Sequence, residues 1–249
     1  MSRKAIFRTL GILAFLFACG LLTLYLLLRS EPTPYQKAQI PPGPERIDSS
    51  SRCAATFSEL YNNASGSSRE EKWVVTFTEK EINSYFAEDF IKSNLDQRIL
   101  PSTIRDPRVI LKKDKICLAF RYRKGLWSTI VSLEFRAWLP SEEPNVIALE
   151  LQSLRAGRLP INAQSLLGEI TRASQKHDIK VRWYRYQGNP TALVRFQADK
   201  PQTTVQLSGL EITEGKLKIS GQPVKGNSRK VAAARAREQF LKWTTSVMR

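Results

Sequence analysis

Few side chains in this sequence have the type and spacing for covalent chemistry. Its one histidine, His177, stands beside Asp178, a pairing that can tune a general base. The pair follows a helical stretch, where a cation complements the dipole at the helix C-terminus, and this second role is the one the sequence supports. Glu70-Glu71 and Glu142-Glu143 lie in polar loops and read as solvated carboxylates. Cysteines stand only at 19, 53 and 117, scattered with no CxxC pair and with Cys19 inside an apolar run, so although with the one histidine they number four, the sequence predicts no structural zinc site. Cys53 and Cys117 are open to two readings: a disulfide in an exported domain, or two thiols with Cys117 in a strand. There is no nucleophile elbow, P-loop, dinucleotide fingerprint or zincin motif. The sequence therefore predicts no enzyme activity, no metal and no cofactor.

What the chain has in quantity is positive charge, with 39 Lys and Arg against 23 Asp and Glu. Lys112, Lys113, Lys115, Arg121, Arg123 and Lys124 crowd one predicted hairpin, near Arg105 and Arg108. A solvated sheet face explains such a set, and so does contact with lipid head groups or an acidic polymer. The last residues, 223–249, add 7 basic side chains against 1 acidic. There Ala233, Ala236, Phe240, Trp243 and Val247 share one side of a helical projection, with Arg235 and Lys242 on another. A basic amphipathic helix of this kind suits an anionic bilayer surface.

The elements that must position these residues begin with an apolar run. Thr9–Leu28 is twenty residues without a charge, preceded by Arg3, Lys4 and Arg8. At 1.5 Å per residue it spans roughly 30 Å of hydrocarbon, longer than the core of a cleaved signal peptide. The preceding cations predict a cytoplasmic N-terminus, with the rest of the chain outside the cytoplasmic membrane. That topology makes nucleic acid an unsuitable partner for the basic surface. A lipid-modified Cys19 is disfavoured by Phe17 within "LFAC" and by the apolar Leu21–Leu28 that would follow it.

Residues 31–50 hold five prolines and read as a linker. In "WVVTFTEKEINSYFAEDFI" a strand hands over to a helix: Thr78 and Glu81 fit a capping box, Phe77 and Ile82 a hydrophobic staple. Four strands follow, at 108–112, 115–124, 127–137 and 145–154, with period-two alternation that marks antiparallel strands covered on one face. A second helix is predicted over 162–176, then four more strands within 178–221. The expected fold is α+β: an N-terminal transmembrane helix, then a curved antiparallel sheet wrapped round two main helices, in the order helix–four strands–helix–four strands. The expected divisions are a membrane anchor 1–30, a Pro-rich linker 31–50, an extracytoplasmic domain 51–222 and the basic tail 223–249.

The segment "LRAGRLPIN" forms the corner between the halves. Gly157 is free to take a positive φ, Pro160 stops the strand, and Asn162 caps the next helix. This corner and "TFTEKEIN" at 76–83 resemble motifs of the YpmS-like family of single-pass bacterial envelope proteins. The layout is similar, more loosely, to elongated lipid-binding modules that wrap a sheet round a helix. The resemblance implies a membrane-anchored, non-enzymatic envelope protein, and an apolar concavity would suit a lipid-like ligand. Its candidate lining is Phe86, Phe90, Leu118, Phe120, Trp127, Leu133 and Phe135. The alternative is an envelope scaffold with a solid core that acts through protein–protein contacts. The partners expected are the membrane, a lipid-like ligand and other envelope proteins.

Overall fold

The computed structural model describes residues 3–64, 72–125, 127–162, 168, 181–195 and 205–224. Helix α1 (Arg3–Arg29) is long and apolar enough to cross a membrane, and large side chains along it, among them Leu13, Phe15 and Phe17, are exposed. A core helix of a soluble protein would bury such a stripe.

Residues 31–50, read as a linker, carry the short helix α2 (Thr33–Lys37) and the start of α3 (Pro44–Ala64). Prolines near the first turn are compatible with both helices, because N–H groups there have no intrahelical acceptor. Strand β1 (Trp73–Thr78) leads into α4 (Glu79–Ala87), and the expected capping box is present in full. The Thr78 hydroxyl accepts from the Glu81 N–H, and the Thr78 N–H donates to the Glu81 carboxylate at 3.1 Å. Two short helices follow, α5 (Asp89–Lys92) and α6 (Leu95–Ile99).

Then come β2 (Ile104–Lys112), β3 (Lys115–Lys124), β4 (Trp127–Trp138), β5 (Val146–Ala156) and β6 (Leu159–Pro160). They are followed by β7 (Val181–Tyr186), β8 (Asn189–Arg195), β9 (Val205–Thr213) and β10 (Lys216–Pro223). The α+β class and the antiparallel pairing agree with the alternation in the sequence. The strands, however, divide between two sheets. Strands β2-β3-β4-β5-β8-β7 run in that order with β6 attached to β5, and β1-β10-β9 form a second sheet of three. The β9–β10 hairpin leaves the second half of the chain to pair with β1, where Phe77 lies opposite Leu217 and Val75 opposite Ile219. Of the second main helix expected over 162–176 only Asn162 and Gly168 are described, and the tail helix lies outside the described residues.

The large sheet has one apolar face. Ile116, Leu118, Phe120 and Tyr122 of β3 lie opposite Phe135, Leu133, Val131 and Thr129 of β4. A bulge between Glu134 and Phe135 puts Leu151 and Leu154 of β5 in the same rows, opposite Phe135 and Leu133. At one end this face packs against the small sheet, α3 and α4, in a core that includes Trp73, Val75, Phe77, Ile82, Val109, Leu111 and Leu207. At the other end Phe120, Val131, Leu133, Leu151 and Leu154 form a second cluster, whose described members all belong to β2–β5.

Two buried asparagines complete strand edges. Asn83 donates from Nδ2 to the Val109 carbonyl and accepts the Val109 N–H at Oδ1, both at 2.8 Å. The next outward groups of β2 are also met: the Leu111 N–H donates to Glu79 Oε2 at 2.8 Å, and its carbonyl accepts from the Gly215 N–H at 3.1 Å. The β2 edge is thus closed by α4 and the β9–β10 turn, which removes a site for unwanted strand pairing. Asn145 does the same for β9, donating to the Val205 carbonyl and accepting from the Leu207 N–H.

Candidate functional site

The point that most constrains function is where α1 meets the large sheet. A helix ends with carbonyls that have no intrahelical donor. Here the Leu27 carbonyl accepts from the Arg158 N–H at 3.2 Å and from Ser30 Oγ at 2.8 Å. The Leu28 carbonyl accepts from Thr129 Oγ1 at 2.5 Å. Gly157 makes this approach feasible. Its φ is +58°, its N–H donates to the Ile130 carbonyl at 2.7 Å, and a Cβ at 157 would fall 2.5 Å from the Leu28 oxygen and nearer still to that of Leu27. The Gly in the "LRAGRLPIN" corner therefore serves the docking of α1 as well as the turn. Pro160 lies in β6, which pairs back on β5 opposite Arg155, and Asn162 follows after Ile161.

Beyond α1 the chain continues as a strap across the other face of the sheet. Tyr35 of α2 is buried against Ala119 and Ile130, with Ile110 alongside. Its hydroxyl donates to the Asp106 carbonyl at 3.0 Å, and burial pushes its pKa up. The Arg108 guanidinium lies 4.0 Å over the Tyr35 ring and donates to the Tyr35 carbonyl at 2.7 Å. Arg121 bridges Glu31, at 2.6 Å, and Asp106, at 3.3 Å. The acid in "RSEPTP" is the signal for this strap, since Glu31 is the only carboxylate between the apolar run and Glu45.

The basic residues expected on one hairpin are therefore not one surface. Arg121 and Arg108 hold the strap. Lys112 and Lys115 flank Glu134 at 3.4 and 2.7 Å, and the hydrogen bond from Lys115 pulls the Glu134 carboxyl below its usual range. Lys113 is exposed at the β2–β3 turn, whereas Arg123 and Lys124 are exposed at the opposite end of β3. A ten-residue strand separates the two groups by about 30 Å. Arg235 and Lys242 lie outside the described residues.

The candidate lining residues fall in three places. Leu118, Phe120, Leu133 and Phe135 share one cluster on the apolar face. Phe86 and Phe90 stack edge-to-face at 5.4 Å beside Tyr85, against a cleft of about 360 Å³ that Arg46 and Arg105 also line. Trp127 stands apart, 65% exposed, with its ring edge-on to that of Tyr25 at 6.3 Å.

A further cleft, of about 490 Å³, runs between the strap and the sheet and is lined by Pro34, Tyr35, Cys117, Ser132, Glu134 and Arg155 among others. Cys117 and Cys53 are free thiols. Burial pushes Cys53 up to about 12 and raises Cys117 as well, which leaves both poor nucleophiles. Among the described residues no three His, Cys, Asp or Glu side chains gather as a metal site. No family model, no curated protein and no solved structure matches this chain.

Proposed function

We propose that the protein is a single-pass envelope protein of the cytoplasmic membrane, with its N-terminus cytoplasmic and its domain outside, that binds a lipid-like ligand without catalysing a reaction. One observation carries this reading. The apolar row of β4 starts at the anchor: Thr129 bonds the last turn of α1, and Val131, Leu133 and Phe135 follow on the same face. Tyr122, Phe120 and Leu118 of β3 run beside them. A hydrocarbon chain leaving the bilayer along α1 would meet this row within about 7 Å, two residues of strand. The resemblance to YpmS-like envelope proteins accords with the same reading.

The test uses the full chain in membranes with a photoactivatable acyl lipid, followed by mapping of labelled peptides and lipid analysis of the purified protein. Label in β3–β5, reduced when Val131 is replaced by Trp to fill the row, is the expected result. A second reading, an envelope scaffold acting through protein contacts, is favoured by the burial of the same row: Leu133 is 2% and Phe120 6% exposed, as in an ordinary core. Absence of both label and co-purified lipid from a folded protein would replace the first reading with the second.

A further inference from the structure

The β3–β4 hairpin places an aromatic residue and several cations around the end of α1. Trp127 is 65% exposed, although burying its ring would remove a large apolar area from water. Its one described ring partner is Tyr25. Tyr25 lies three residues before Leu28, the last residue of the uncharged run, or about 4.5 Å along a helix. Trp127 is therefore held near the level at which the apolar stretch ends. Trp and Tyr concentrate at that level in membrane proteins, because their rings are apolar and their N–H or O–H is not. Arg29 donates to the Tyr25 hydroxyl at 2.8 Å. Arg29, Arg123, Lys124 and Arg158 are all exposed at this end of the sheet.

Among the described residues positive charge predominates here. No acidic residue occurs between Asp114 and Glu134, or between Glu150 and Glu169, the stretches that supply the hairpin and the corner. Glu31 and Asp106 are the nearby carboxylates, and both are engaged by Arg121. An aromatic anchor ringed by unopposed cations fits phosphate-bearing lipid head groups of an anionic leaflet.

We infer that this end of the domain is itself a membrane-binding surface: Trp127 sits in the bilayer–water interface beside Tyr25, and Arg29, Arg123, Lys124 and Arg158 contact lipid phosphates. The inference rests on the reading of α1 as a membrane span.

The test reconstitutes the full chain in vesicles of phosphatidylcholine and phosphatidylglycerol that contain lipid brominated near the top of the acyl chain. A Trp243→Phe background removes the tryptophan of the tail. Trp127→Phe is expected to remove about half or more of the lipid-dependent quenching, as for an interfacial ring, with the unfolding transition unchanged because the side chain is exposed. Arg123→Ala with Lys124→Ala is expected to weaken the preference for phosphatidylglycerol over phosphatidylcholine. Quenching that is equal with and without Trp127, in a protein that resists alkaline carbonate extraction, would overturn the inference and leave the anchor standing. Release of the full chain by carbonate would overturn the anchor itself.

Discussion

Replacing Gly157 with Ala tests whether α1 and the rest of the domain are one rigid unit. The position has φ +58°, a conformation that costs a residue with a Cβ about 1–2 kcal/mol. The new methyl would also lie 2.5 Å from the Leu28 oxygen and 2.9 Å from its carbonyl carbon. These are backbone atoms, so the clash is relieved only if the end of α1 moves. Moving it breaks the bonds from the Arg158 N–H and Thr129 Oγ1, worth about 0.5–1.5 kcal/mol each. Gly125→Ala is the internal control: φ is +60°, and a Cβ there meets nothing within 4 Å. The expected cost is about 1–2 kcal/mol at Gly125 and about 2–5 kcal/mol at Gly157. The difference should appear as local release of the junction. Hydrogen exchange on the full chain in micelles reads it at the Arg158 amide, whose exchange should quicken by about 10- to 100-fold in Gly157→Ala, since 1.4 kcal/mol is a factor of ten, and stay unchanged in Gly125→Ala. Equal destabilisation of the two variants, with Arg158 equally protected in both, would refute the docking argument.

Asn83→Ala leaves the Val109 N–H and carbonyl without their partner on a buried edge, so denaturant unfolding should show a loss of about 2–4 kcal/mol. Glu134 is held below its usual range chiefly by the Lys115 hydrogen bond. Its folded pKa is depressed, so its contribution is present above the ordinary carboxylate range and is lost as pH falls through the folded value. In a carboxylate titration followed by NMR, Glu134 should titrate below an ordinary glutamate, and Lys115→Met should move it back up; no movement would mean that the pair does not form.

The strands were legible because one covered face writes itself as alternation: Ile116, Leu118, Phe120 and Tyr122 on β3, and Val131, Leu133, Phe135 and Ala137 on β4. The start of α4 was legible because Thr78 and Glu81 are a local pair. Helix α3 hid its length behind polarity. Ser49 and Ser50 belong to the stretch read as a linker, yet both are buried, and Ser50 Oγ donates to Asp89 Oδ2 at 2.8 Å. The prolines of 31–50 carried two meanings, extended linker or first helical turn, and only the packing of Tyr35 on Ala119 and Ile130 selects between them. Division into two sheets depends on β1 meeting β10, a pairing between distant parts of the chain with no local signature. The candidate site divided for a related reason. Alternation tells which face Arg121 and Arg123 share, but not that Glu31 and Asp106 engage the first while the second faces solvent.

The junction at Gly157 also bears on how copies of this protein would meet. A domain on a loose tether tumbles and shows every face to its neighbours. A domain fastened to the last turn of α1 and crossed by the 31–37 strap keeps one heading. In a bilayer crossed by α1, all copies would stand at the same height with the same strands toward the lipid, free only to spin about the helix axis and drift in the plane. Encounter then becomes a search over one angle rather than three. Of the described residues, the flanks and the far end of the sheets, including the lysine-bearing β2–β3 turn, would be offered to anything arriving from the side or from above.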